Sequence, residues 1–160
     1  MEHAADDLAF LRRAIALAAT RSAGGTNGPF GAVVAREGAV VAEGWNQVVE
    51  TGDPTAHAEV VAIRGACRRL GSHVLEGCTL YASCEPCPLC LAAAYWARIS
   101  RVVFAASRSD AARAGFDDER IYRELALEWP RREVAGERIL EDEGRHVLEA
   151  WLANQRRVPY

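Results

Sequence analysis

Leu8, Leu11, Ile15 and Ala18 recur at helical spacing and predict a helix from Asp6 to about Ala23, with two acidic residues at the end where the helix dipole favours them. The run from Gly24 to Pro29 breaks it. Phe30 to Ala35 and Ala39 to Trp45 are β-rich runs separated by Arg36-Glu37-Gly38, which reads as a hairpin. Asn46 to Pro54 reads as a polar loop. Thr55 then reads as the cap of a helix ending near Gly71, with Val60, Ile63 and Cys67 on one face. Thr79 to Ser83 predicts a short buried strand, Pro88 to Arg98 a helix opened by proline, and Arg101 to Ala106 another strand. Ile121 to Leu127 and about Glu143 to Gln155 complete the set as helices. Helices alternating with strands imply a layered α/β fold with the sheet between helices.

No repeat, low-complexity tract or linker interrupts the 160 residues, so a single domain over 1–160 is expected. Half the residues are hydrophobic and 26% are charged, as in an ordinary globular chain. The net charge of −3 offers no broad cationic field for a nucleic-acid backbone or an anionic membrane, although all nineteen basic residues are arginine. The longest apolar run, Leu89 to Ala97, is too short to span a bilayer. With Glu2, Asp6 and Asp7 and no basic stretch, the N-terminus does not read as a secretory signal. A cytoplasmic location is therefore expected.

Five cysteines is an odd number, and three of them, Cys84, Cys87 and Cys90, fall within seven residues. In a reducing compartment such a cluster points to metal or catalysis, not to disulfides. Cys87 and Cys90 are three apart at a predicted helix start, so both thiols face one side, and the positive end of the helix favours the thiolates that bind metal. His57 supplies a third ligand. Three protein ligands leave one tetrahedral position open, as catalytic zinc requires. Glu59, two residues beyond His57, lies roughly 200° away on an ideal helix and should serve as proton carrier, not as ligand. A closed site using Cys84 as fourth ligand is the competing reading. Against it, Cys84 follows the strand ending at Ser83 whereas the other two belong to the next helix, and a structural site has no need of Glu59. His-x-Glu with Pro-Cys-x-x-Cys is the pattern of zinc deaminases that act on nucleobases.

The chain resembles the cytidine-deaminase superfamily and, within it, the small bacterial guanine deaminases. The resemblance rests on Gly28-Pro29-Phe30-Gly31-Ala32-Val33, Asp53-Pro54-Thr55-Ala56-His57-Ala58-Glu59 and Ser83-Cys84-Glu85-Pro86-Cys87-Pro88. It extends to Tyr95-Trp96-Ala97-Arg98, Asp110-Ala111-Ala112 and Ala114-Gly115-Phe116-Asp117-Asp118. The central motifs are shared with tRNA adenosine deaminases and define chemistry; the Ala-Gly-Phe-Asp-Asp stretch and the terminal aromatic tilt the match toward guanine.

The resemblance implies a three-layer α/β/α fold with a central mixed sheet, one zinc per chain on His57, Cys87 and Cys90, and hydrolysis of guanine to xanthine and ammonia. Glu59 would shuttle protons and Asp118 would assist at the amino group. Asn46 would hydrogen-bond the purine edge, and Phe30 and Trp96 would sandwich the ring. A homodimer is implied, with the tail of about 154–160 crossing so that Tyr160 covers the partner's site. Deaminases of guanosine, other aminopurines, amino-triazines or tRNA adenosine are the alternatives; the last needs a basic groove, which the charge balance argues against.

Overall fold

The computed structural model describes residues 5–159. The chain divides into two units, one running through Arg123 and the other from Glu124 onward, a division that no linker-like sequence announces.

In the first unit, four strands lie in the order β2-β1-β3-β4. β1 (Gly31–Arg36) pairs antiparallel with both β2 (Ala39–Trp45) and β3 (Thr79–Cys84), and β3 pairs in parallel with β4 (Arg101–Ala106), so the sheet is mixed as expected. The β1–β2 connection is the two-residue turn Glu37-Gly38, with positive φ at both positions (52° and 75°), the geometry that matches strand twist. Alternation of side chains then splits the sheet into two faces. Val33, Ala35 and Tyr81 pack with α1 (Ala5–Ser22) on one side. Ala32, Val34 and Leu80 pack on the other side with Ala58, Ala62 and Ile63 of α3 (Ala58–Leu70) and Ala94 of α4 (Pro88–Trp96). This is the three-layer arrangement.

Several elements differ from the sequence reading. The loop Asn46 to Pro54 contains a one-turn helix, α2 (Val48–Thr51), too short to leave a periodic pattern. Thr55 does not cap α3: its N–H and hydroxyl both bond Asp53 Oδ1 in a local turn, and His57 occupies the N-cap position. α5 (Arg108–Arg113), unexpected from hydrophobic periodicity, opens with a capping box in which Ser107 and Asp110 bond reciprocally. α6 (Asp118–Leu125) begins three residues before Ile121. In the second unit, a 3₁₀ turn at Trp129–Arg131 precedes α7 (Glu141–Ala153).

Two contacts fix the layers. Asp7 of α1 is buried, accepts from Tyr81 Oη at 2.7 Å, and is gripped by both Nη atoms of Arg101 at 2.8 and 2.7 Å. Burial and the bond to Asp7 push the Tyr81 phenol up to about 12. The second contact is steric. At Gly44 of β2 a Cβ would run into the Ala58 carbonyl oxygen and lie 2.6 Å from Ala62 N; at Gly31 of β1 it would run into the Ala14 carbonyl oxygen and lie 2.7 Å from Ala18 N. Backbone thus meets backbone on both faces of the sheet, a spacing that only glycine permits.

Gly44→Ala is expected to cost about 1–3 kcal/mol, the usual range for overpacking, and to displace the first turn of α3. Thermal unfolding and zinc content check this. A variant with the parent's melting temperature would show that α3 can ride outward freely.

Candidate active site

The N-termini of α3 and α4 converge on one point. His57 and Cys87 are their N-cap residues, both in extended backbone conformation (ψ 152° and 169°), and Pro88 occupies the first turn of α4. Cys90 follows in that first turn. His57 Nδ1 lies 3.4 Å from Cys87 Sγ and 3.5 Å from Cys90 Sγ, and the two sulfurs are 3.6 Å apart. Tetrahedral zinc with ordinary Zn–S and Zn–N bonds sets its ligand atoms ~3.6–3.8 Å apart. The three donors are therefore spaced close to what three corners of a zinc tetrahedron require, and they form the one such group among the described residues. Their chemistry, two sulfurs and an imidazole, suits zinc.

Cys84 stands apart. Although buried, its Sγ donates to the Ser107 carbonyl at 3.5 Å, and burial pushes the thiol up to about 11, the protonated form. Cys87 is held low, at about 4, by its contacts with Cys90 and His57, whereas Cys90 is pushed up by its contact with Cys87 and by burial. The partnership with Cys87 raises His57 in turn.

Glu59 is only 6% exposed, with Oε2 3.4 Å from Cys90 Sγ. Burial pushes its carboxyl up to about 7. The ideal-helix angle separates His57 from Glu59, but His57 is an N-cap with non-helical backbone, so both side chains reach the same place.

A cavity of about 240 Å³ opens beside these groups, smaller than the usual site for a drug-sized ligand. His57, Glu59 and Cys87 line one part; Phe30, Asn46 and Asp118 also line it. Asn46 is 8% exposed, and its Oδ1 accepts from the backbone N–H groups of Gly28 and Val48, both at 3.3 Å. A backbone N–H can only donate, so the orientation of the amide is settled and Nδ2 is the donor it can offer to a ligand. Asp118 opens α6, and its carboxyl is raised first by burial and then by Cys87.

One expected aromatic residue is placed differently. Trp96 ends α4 at 62% exposure and does not line the cavity of its own chain, so it does not sandwich a ring against Phe30 there. It stands two residues beyond the buried Ala94, roughly 200° around the helix, and so faces outward. The ring against Phe30 is that of Phe116, edge-on at a centroid distance of 4.6 Å. Tyr160 lies outside the described residues. Phe116, Glu85, Val48 and Val49 line the cavity without having been assigned a role from sequence. Glu85 and Phe116 were legible only as members of motifs.

The chain matches the cytidine and deoxycytidylate deaminase zinc-binding region over residues 4–106. It belongs to that family. This deaminase is 49% identical to the guanine deaminase of Bacillus subtilis over 149 residues, covering 92% of this chain and 96% of that protein. The crystal structure of guanine deaminase from Bacillus subtilis superposes with a TM-score of 0.92 at 46% identity, covering 100% of this chain and 99% of the other. The tRNA-specific adenosine deaminase of Aquifex aeolicus is also 49% identical, but over 78 residues, 49% of this chain and 52% of that protein. The deaminase has no helix among its described residues long and apolar enough to cross a membrane.

Cys87→Ala is expected to lose zinc and Cys84→Ala to retain it at near the parent's level, by metal analysis of the purified proteins. Equal loss in both would indicate a closed four-ligand site.

Proposed function

We propose that this deaminase hydrolyses guanine to xanthine and ammonia. The observation that carries the reading is a buried carboxylate, Glu59, set against a three-donor zinc site at one end of a small cavity whose Asn46 amide offers a donor. The substrate is inferred from the near full-length likeness to the Bacillus guanine deaminase.

Zinc, when bound by His57, Cys87 and Cys90, supplies the Lewis acidity that makes water a nucleophile at neutral pH. Glu59 takes a proton from the attacking water and gives it to the ring nitrogen beside C2. It then carries the second proton to the departing amino group, so that water and guanine yield xanthine and ammonia in balance. A carboxylate suits this shuttle because it alternates between base and acid. Asp118, across the cavity, accepts a hydrogen bond from the amino group and orients it for departure. Asn46 Nδ2 donates to an acceptor on the purine edge, and Phe30 provides an apolar face for the ring. A purine presenting a donor opposite Asn46 would leave buried polar groups unpaired, a strong basis for rejection.

Both units are read as one deaminase-type domain over 1–160, supported by a likeness running through 92% of the chain. A cytoplasmic location is supported by thiolate ligands, which a reducing compartment preserves. The chain is further proposed to form a homodimer with exchanged tails, about residues 154–160. Support comes from α7, whose own unit leaves Val147, Leu148 and Leu152 at least 64% exposed, a face suited to a partner.

Two experiments test these proposals. Ammonia release measured side by side is expected to be fastest from guanine, ahead of guanosine, adenine, cytosine and ammeline. Glu59→Gln should retain zinc and fold yet lose at least ~10²–10⁴-fold in turnover. Faster release from adenine or cytosine, or turnover near the parent's in Glu59→Gln, would overturn the assignment. For the tails, chains lacking Val158 to Tyr160 are mixed with Glu59→Gln chains. Recovered activity is expected, because a mixed dimer joins an intact Glu59 to an intact tail; no recovery despite proven subunit exchange would refute crossing.

A further inference from the structure

Asp118 reaches the cavity from a helix with little to hold it. None of the residues of α6 is buried, so no core contact sets the position of its first turn. The stretch leading into it passes through Gly115, whose φ of 93° is open to few residues other than glycine. The Gly115 and Phe116 N–H groups bond back to Ala112 and Ala111 and close the end of α5, so beyond that point side-chain tethers help to position α6.

Tyr122 supplies one. It lies one turn beyond Asp118, on the same face of the helix. Its hydroxyl donates to the Pro86 carbonyl at 2.9 Å. Pro86 immediately precedes Cys87, so this bond ties α6 to the loop that presents the zinc ligand. The Tyr122 ring is itself held: the Arg108 guanidinium lies over it at 4.9 Å. Arg108 is anchored in turn by Glu85, whose carboxylate accepts from the Arg108 backbone N–H at 3.0 Å and pairs with its Nε at 3.8 Å. On the other side of Asp118, Phe116 packs edge-on against Phe30. Asp118 thus sits between an aromatic contact and a hydroxyl tether.

We infer that Tyr122 is a positioning residue, which sets the Asp118 carboxylate in the cavity by pinning α6 to the Pro86 carbonyl. The inference rests on the guanine-deaminating role proposed for Asp118. Without the tether, the Phe116–Phe30 contact is left to hold the first turn of α6 near the cavity, and the carboxylate spends less time where an amino group would leave.

Tyr122→Phe keeps the ring beneath Arg108 and removes only the hydroxyl. In the zinc-loaded enzyme it is expected to lower kcat for guanine about tenfold, the rate equivalent of one lost hydrogen bond, with KM, zinc content and melting temperature unchanged. In an Asp118→Asn background the same substitution should change kcat by less than about twofold, since residues acting as a unit are not additive. Amide hydrogen exchange gives a readout independent of turnover: residues 117–123 should exchange faster in Tyr122→Phe while residues 58–70 stay as in the parent. Unchanged exchange in 117–123, an undiminished kcat loss in the Asp118→Asn background, or loss of zinc would overturn the inference. A parent that turns over no guanine would instead sink the proposed function, and the exchange measurement would still decide the role of Tyr122.

Discussion

The site depends on how closely α3 lies against the sheet. At Gly44 the strand backbone abuts the Ala58 carbonyl and the Ala62 amide, with no room for a Cβ between them. Ala58 sits between His57 and Glu59, so the atom in tightest contact with the sheet lies in the residue that separates the zinc-site imidazole from the buried carboxylate. Gly31 makes the same close approach to α1 on the opposite face. The sheet is therefore clamped between two helix backbones, and the first turn of α3 cannot shift without moving β2. A constellation carried on such elements keeps its geometry better than one carried on loops.

That rigidity is needed because the electrostatics are unfavourable taken alone. Two thiols, an imidazole and a carboxylate crowd within a few ångströms, and Glu59, Cys87 and Cys90 are all buried. Contact with Cys87 and burial push Cys90 upward, burial pushes Glu59 upward, and Cys87 alone is held low. Two helix N-termini aimed at the cluster contribute positive potential that favours the Cys87 thiolate. A divalent cation would let Cys90 give up its proton as well, so metal binding and proton release are coupled at this point.

The zinc site was legible in sequence because its residues are close in sequence at fixed offsets, and a helix start converts such offsets into a common direction. The convergence of His57 and Glu59 was not legible in sequence: a helical wheel places them apart, and the extended backbone at His57 brings them together. α2 and α5 escaped hydrophobic periodicity because four and six residues do not make two full turns. The capping box Ser107-x-x-Asp110 was nonetheless a readable helix start. Trp96 and Phe116 show the limit of motif reading. Each stood in a recognisable stretch, but which ring meets Phe30 depends on the direction of a helix end and on the path of the chain after β4.

The same path divides the cavity lining along the sequence. The zinc-binding region common to the family ends at residue 106, the last residue of β4. His57, Glu59, Cys87 and Cys90 all lie before it. Phe116 and Asp118, which finish the cavity, lie after it, on a segment that contributes few buried residues and is tethered by Phe30, Pro86 and Glu85 through aromatic and polar contacts. Core packing tolerates little change in volume, whereas a segment held by a few tethers can be remodelled without disturbing the core. The part of the cavity wall carried by Phe116 and Asp118 can therefore diverge while the zinc ligands, Glu59, Phe30 and Asn46 stay fixed.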